Sequence, residues 1–211
     1  MPKLEFFFDC SSPWTYLAFH GIEELAAETD TTLVWRPILV GGVFNAVNQS
    51  VYDQRANPLP VKLRYYAKDL RDWADWAGIR IGSPPVFPVN SVRAMRGCFV
   101  ALEAGCLPRY ARAVFTAYWG ELKDISQPEV LAPIAAGAGL DPDDFFRQIE
   151  SPARKQQLRD TTDELIARGG FGSPTIFVDE EDMYFGNDRL VLVRAALLGR
   201  GGQRERGARG S

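Results

Sequence analysis

The sequence predicts an α/β fold in which the two ends of the chain build one mixed sheet and a helical stretch is inserted between them. β-patterned runs lie only near the ends, at residues 4–8 and 32–36 on one side and 175–179 and 183–185 on the other. Between residues 57 and 168 the apolar residues recur instead at three- and four-residue steps, the period of helices packed on one face. With 211 residues, 46% hydrophobic and 24% charged, the chain can bury a full core as one domain carrying a sizeable insertion.

Leu4, Phe6 and Phe8 alternate with Glu5 and Phe7 until Asp9 ends the aromatic run, which makes a strand. Cys10, Ser11 and Ser12 form a turn. Pro13 suits the first helical position, where its missing N–H costs nothing. Trp14, Leu17, Ala18, Ile22 and Leu25 then share one helical face, with Glu23, Glu24 and Glu28 on the polar side. A strand at 32–36, closed by Pro37, completes a strand–helix–strand unit of the parallel-sheet kind. Helices are predicted over 62–76, with Leu63, Tyr66, Leu70, Trp73 and Ala77 in step, and over 91–104, with Val92, Met95, Cys98, Phe99 and Leu102 on one side. Others follow at 109–118, 127–138, 142–150 and 153–168, and Asp141 before Pro142 is a helix-start signal. Residues 175–185 read as a hairpin turning at Glu180, Glu181 and Asp182. Asn187 or Asp188 caps a last helix that turns Leu190, Val193 and Leu197 inward. The sheet is expected to be mixed, its last one or two strands antiparallel. The chain divides into a split core over 1–40 and 170–198, a helical insertion with its connecting loops over 41–169, and a disordered Gly/Arg tail over 199–211.

The net charge of −3 is uneven: Arg200, Arg204, Arg206 and Arg209 against Glu205 give the tail +3, leaving −6 for the rest. An acidic body repels phosphate backbones, which argues against a nucleic-acid partner. No apolar run is long enough to cross a bilayer, and Asp9 cuts off Phe6 to Phe8 before a signal-peptide core can form. Cys10, Cys98 and Cys106 have neither a pair framework nor metal-ligand spacing, so a reducing, cytoplasmic setting is expected. His20 is the sole histidine, which excludes a histidine-based triad or a His-rich metal centre.

Chemistry concentrates at the first turn. A loop that leaves a strand and opens a helix presents free N–H groups and the positive end of the helix dipole, and both favour an anion. Ser12 stands there, with Pro13, Trp14 and Thr15 behind it. In thioredoxin-like proteins the matching place is Cys-x-x-Cys. Hydroxyls cannot form a disulfide, so thiol–disulfide exchange from this motif is excluded, but a hydroxyl can donate to another molecule's thiolate. Taken alone, the stretch reads as a helix cap.

Agreement between distant motifs says more. Residues 8–18, from Phe8-Asp9-Cys10 through Ser12-Pro13-Trp14 to Ala18, resemble the opening of the 2-hydroxychromene-2-carboxylate isomerases and kappa-class glutathione transferases, in which a serine directly before proline opens the first helix. Gly41-Gly42-Val43-Phe44-Asn45 is similar to that family's Gly-Gly loop, and Lys62 to Leu70 to its Lys-x-x-Tyr-x-x-Lys-Asp-Leu helix. The segment 87–96, which holds Asn90 and Arg93, resembles its Pro-x-Asn-Thr-x-Arg stretch. Gly172-Ser173-Pro174-Thr175 and Phe185-Gly186-Asn187-Asp188-Arg189-Leu190 match its two C-terminal motifs. Together these span residues 3 to about 198. They imply a thioredoxin-like (DsbA-like) mixed sheet with an inserted all-α domain.

The resemblance also assigns roles. Ser12 is expected to hydrogen-bond the glutathione sulfur and favour its thiolate. A free thiol titrates near pH ~8.5, and a hydroxyl with a helix N-terminus lowers that by about one to two units, so no base is required. Pro174 takes the place of the fold's cis-proline, and Ser173 is expected to pair with the peptide backbone of glutathione. Asn187 and Asp188 are expected to hold the γ-glutamyl end, Asp188 also suiting a cap. Lys62 is the candidate for a glutathione carboxylate, with Asn57 and Asn45 weaker choices. Asn90 and Arg93 line the substrate side, or else serve as a helix cap and a surface ion-pair partner. Ser11 competes with Ser12 by proximity alone, and Cys10 is either buried and inert or an oxidisable thiol. The implied cofactor is glutathione, the implied partner a small aromatic substrate, and the implied assembly a homodimer.

Four functions are compatible with this site. The first is a glutathione-dependent isomerase of the 2-hydroxychromene-2-carboxylate isomerase type, in which reversible thiolate addition to a conjugated carbonyl lets a double bond rotate. The others are a kappa-like glutathione transferase, a DsbA-like disulfide oxidoreductase (which Ser12 and Thr15 argue against), and a glutathione binder without turnover. Fold alone does not choose among them.

Overall fold

Three consecutive phenylalanines in a strand must be covered on both faces, and the architecture does this. The computed structural model describes residues 2–208, of which 200–208 by backbone alone. Strands β1 (Lys3–Phe8), β2 (Thr32–Pro37), β3 (Thr175–Val178) and β4 (Asp182–Phe185) form one sheet in the order β2-β1-β3-β4. β1 runs parallel to β2, with Phe6 opposite Trp35, and antiparallel to β3, with Phe6 opposite Ile176. β3 and β4 are antiparallel, so the sheet is mixed as expected.

Helix α1 (Pro13–Glu28) lies on the face that carries Leu4, Phe6 and Phe8, and buries Phe19, Ile22 and Leu25 there. Phe8 meets Phe19 and Trp35 at ring separations of 6.3 and 5.9 Å. Burial of each such ring contributes about 2–3 kcal/mol. On the opposite face Phe7 packs with Ile38, Val43, Leu165 and Phe177. Glu5 shares that face and is also buried, held by Arg168 at 2.7 Å and Lys3 at 3.4 Å.

The chain then forms α2 (Val40–Val47), α3 (Ser50–Ala56), α4 (Pro60–Ala77), α5 (Val92–Glu103), α6 (Leu107–Phe115), α7 (Pro128–Ala138), α8 (Pro142–Ile149) and α9 (Pro152–Ala167). The period-based expectations over 62–168 hold to within a few residues, with one change. The helix expected over 109–118 becomes α6 followed by a π-helical turn, Thr116–Gly120, in which Tyr118 and Trp119 are both buried.

Helices α2 and α3 correct the sequence reading, which took Gly41 and Gly42 as a loop. Two glycines weaken a helix, but tertiary contacts override that propensity here. The Val40 N–H is anchored on Asp9 at 2.8 Å, and Val43 is fully buried. A Cβ on Gly42 would meet the Thr162 methyl at 3.3 Å, so its absence lets α2 approach α9 closely. Met95, Cys98 and Phe99 of α5 belong to the same buried cluster as Phe6 and Phe8. Helices α3 and α4 are poorly covered: α3 buries no residue and α4 only Ala74, and Leu63 and Tyr66, read as part of the apolar stripe of α4, remain 56% and 54% exposed.

After β4, a 3-10 turn at Asn187–Arg189 leads into α10 (Leu190–Ala208), which buries Val193 and Leu197 as expected. Across the tail expected to be disordered from Gly199, helical backbone is described through Ala208. Residues 209–211 of that tail lie outside the described residues. Among the described residues, no helix is long and apolar enough to cross a membrane.

Candidate functional site

The site is built where the β1–α1 turn meets the loop before β3. Ser12 is the N-cap of α1: its extended backbone (φ −108°, ψ 126°) lets the hydroxyl oxygen accept the Thr15 N–H at 3.2 Å, and Pro13 occupies the first helical position. The same hydroxyl donates to the Ser173 carbonyl at 3.3 Å, long for an O–H···O bond. Ser173 precedes Pro174 through a cis peptide bond, and Phe87–Pro88 is cis as well. Among the described residues, the N–H groups of Trp14 and Ser173 have no acceptor. The half-buried Ser12 hydroxyl thus sits beside two unpaired donors, at the positive end of a sixteen-residue helix.

Thr15 stands where the second cysteine of a Cys-x-x-Cys motif would be. It is fully buried, with Oγ1 at 2.8 Å from the Ser173 hydroxyl. That hydroxyl also accepts the Asp9 N–H at 3.0 Å. The Asp9 carboxylate, with no exposed surface, accepts from the Ser11 N–H at 2.9 Å, the Val40 N–H at 2.8 Å and the Ser91 hydroxyl at 3.1 Å. Burial pushes the Asp9 carboxyl above its usual value, against the opposing pull of those donors.

Cys10 proves to be the buried alternative of the two read from sequence. Burial, and then its contact with Cys98, push its thiol well up. Its N–H points to the Met95 sulfur at 3.3 Å, and its carbonyl accepts the Trp119 indole N–H at 2.9 Å. A thiol so desolvated is a poor nucleophile. His20 is exposed on α1.

The other sequence-derived candidates fall into three places. Asn187 and Asp188 line a groove of about 470 Å³ between α1, α4 and α10, together with Leu17, Gly21, Trp73 and Trp76. Ser12 and Ser173 are not among its walls. At about 1.5 Å rise per residue, Leu17 lies roughly 7 Å along α1 from Ser12, within the span of about 10 Å of an extended tripeptide. Asn187 is buried, whereas Asp188 is exposed and pairs with Arg189 at 2.6 Å. Lys62, on the first turn of α4, and Asn57, the C-cap of α3, are exposed, and no hydrogen bond ties either side chain to the serine pair. Asn90 and Arg93 sit at the start of α5. The Asn90 side chain accepts the Val92 N–H at 3.1 Å, and Arg93 pairs with Glu150 at 3.2 Å. The structure therefore brings Ser12, Ser173 and Pro174 together, sets Asn187 and Asp188 in a groove that α1 also lines through Leu17, and leaves Lys62, Asn57, Asn90 and Arg93 outside that cluster.

Sequence reasoning missed Asp9, Ser91 and the structural part played by Thr15. One signal was available for Asp9: an aspartate directly after a fully apolar strand end is carried into the core with that strand, and a buried carboxylate needs donors.

The chain matches known proteins along nearly its full length. Residues 3–198 match the DSBA-like thioredoxin domain family. The 2-hydroxychromene-2-carboxylate isomerase of Pseudomonas putida is 32% identical over 196 residues, covering 92% of this chain and 93% of that protein. Glutathione S-transferase kappa 1 of Homo sapiens is 30% identical over 212 residues, covering 93% and 90%. The solved structure of a 2-hydroxychromene-2-carboxylate isomerase superposes with a TM-score of 0.81 at 29% identity, covering 98% of both chains. The chain belongs to the DsbA-like thioredoxin family, as an enzyme of the kind that its isomerase and glutathione transferase relatives represent.

Proposed function

We propose that this chain is a glutathione-dependent isomerase of the 2-hydroxychromene-2-carboxylate isomerase type, in which Ser12 stabilises the glutathione thiolate. The observation that carries the reading is the Ser12 hydroxyl at the cap of α1, bonded to the carbonyl before the cis-proline, in the place of a redox cysteine. Glutathione, when bound, supplies the nucleophilic thiol. Ser12 swings its proton from the Ser173 carbonyl to the sulfur, and the long 3.3 Å bond it leaves costs little to break. The unpaired Trp14 N–H and the α1 dipole favour the same anion. The unpaired Ser173 N–H fits the peptide backbone of glutathione, as an added strand would.

Asn187 and Asp188 hold the γ-glutamyl end, and Lys62 with Asn57 takes a carboxylate of the tripeptide. Asn90 and Arg93 serve a small aromatic substrate, Arg93 exchanging Glu150 for a substrate carboxylate. A homodimer in the cytoplasm, acting in the breakdown of aromatic compounds, completes the reading.

For Asp188→Ala, glutathione affinity is expected to weaken about tenfold, the worth of one charge-assisted hydrogen bond, with little change in the chemical step. Calorimetric titration decides it: unchanged affinity with a lowered melting temperature would reduce Asp188 to a partner of Arg189 that serves the fold alone. The function itself is tested by a pair of assays. A glutathione-dependent absorbance change with a hydroxychromene carboxylate, without glutathione consumption, supports the isomerase. Stoichiometric thiol loss with an electrophilic aryl halide would instead identify a kappa-like transferase, which the human relative makes the second reading. Reduction of insulin disulfides would overturn both.

A further inference from the structure

We propose that Asp9 is a positioning residue for this site: its carboxylate and its backbone N–H together hold the serine-bearing turn against the cis-proline loop and so aim the Ser12 hydroxyl. The inference rests on the glutathione reading of the site. Asp9 ties its own turn to three chain segments that are distant in sequence. Its Oδ1 takes the Ser11 N–H, Oδ2 takes the Val40 N–H at the start of α2 and the Ser91 hydroxyl before α5, and its own N–H reaches the Ser173 hydroxyl. Ser173 in turn bonds Thr15 through its hydroxyl and Ser12 through its carbonyl. The Ser12–Ser173 bond is therefore the outermost link of a chain of contacts that begins at Asp9.

The chemistry of the group is specific. The two N–H donors approach different oxygens, so both oxygens must be acceptors, which only a carboxylate provides. In an amide, one of the two positions would place N–H against N–H. The carboxylate itself is fully buried and the Ser11 and Val40 N–H groups are half-buried against it, so a lost acceptor leaves them poorly paired and the local backbone shifts to recover partners. A displacement of about 1 Å at a reacting group costs on the order of a hundredfold in rate. A carboxylate that merely stapled the core would have no reason to choose the residue adjoining Ser12 and the first N–H of α2 as partners while its own backbone N–H engages the residue before Pro174.

The test uses Asp9→Asn, Ser91→Ala and the double variant D9N/S12A in the full chain. The thiol pKa of bound glutathione is read from thiolate ultraviolet absorbance against pH, beside kcat and KM. Asp9→Asn is expected to raise the bound thiol pKa by about one unit and lower kcat at least about tenfold, with the glutathione KM changed less than about threefold. Ser91→Ala, which removes one donor and leaves Asp9 in place, is expected to move both quantities the same way by less. D9N/S12A is expected to be no slower than Ser12→Ala, because both act through one hydroxyl. Losses that multiply in the double variant would overturn the proposal. So would an unchanged thiol pKa and kcat in Asp9→Asn or, if that protein does not fold, in Ser91→Ala. Failure of the wild type to take up glutathione would sink the functional reading and this inference with it. Uptake with a thiol that responds to Ser12→Ala but not to Asp9→Asn would sink this inference alone.

Discussion

Replacing Ser12 by alanine is expected to lower turnover by about 10- to 100-fold while leaving glutathione affinity within about threefold. A hydrogen bond to a charged partner contributes about 1.5–3 kcal/mol, and the sulfur is charged only in the reactive form, so its loss falls on the chemical step. Affinity survives because the proposed contacts at Ser173, Asn187 and Asp188 lie elsewhere on the tripeptide. Ser12 is also the cap of α1, so the variant loses about 1 kcal/mol of stability, read separately by thermal melting. Steady-state kinetics on the folded protein measure the first effect. Full activity in Ser12→Ala together with an inactive Ser11→Ala would move the role back one residue.

Arg168→Ala is expected to cost about 2–4 kcal/mol of folding stability at pH 7. Glu5 is 2% exposed on the inner side of β1, and burial alone would push its carboxyl up. The Arg168 hydrogen bond and charge, helped by Lys3, outweigh that and hold it below its ordinary value of 4.5. Arg168 also bonds Glu164 at 3.1 Å and the Glu180 carbonyl at 2.9 Å, and lies 3.9 Å above the Phe177 ring. Removing one partner of a buried ion pair costs about 3–5 kcal/mol; Lys3 and Arg36 remain to offset part of it. The pH dependence has a definite sign. A depressed carboxyl pKa stabilises the native wild type above the unfolded value, and that contribution fades as pH falls through the folded value, below 4.5. In the variant, burial prevails and Glu5 titrates above its unfolded value, so acid relieves its cost. The gap between wild type and variant is therefore largest near neutrality and narrows toward pH 4. Urea unfolding at pH 7 and pH 4.5 measures it, and a gap that widens in acid would contradict the assignment.

Much of this was legible in the residues because local chemistry agreed with the tertiary outcome. The alternation around Phe6 fixes β1, Pro13 after Ser12 fixes the start of α1, and Thr175 to Phe185 forms the antiparallel hairpin. Reading failed where a contact from far along the chain decides the local structure. Gly41 and Gly42 look like a loop until Asp9 and Thr162 are brought against them. Glu5 looks like the outward member of an alternating strand. It is inward because the Phe7 face is covered by α9, whose C-cap residue, Arg168, supplies the counter-charge. Asp9 looks like the end of a strand, and its partners Val40, Ser91 and Ser173 are 31, 82 and 164 residues away. The apolar residues of α4 follow a helical period, yet Leu63 and Tyr66 stay exposed, because a stripe in the sequence does not say whether a neighbour arrives to cover it.

The most direct test of the central claim is an ultraviolet pH titration of the wild-type chain with saturating reduced glutathione. A bound thiol that ionises about one to two units below the free value of ~8.5, and returns toward it in Ser12→Ala, is the expected result. A bound thiol that titrates like the free one, or no uptake of glutathione at millimolar concentration, would contradict it.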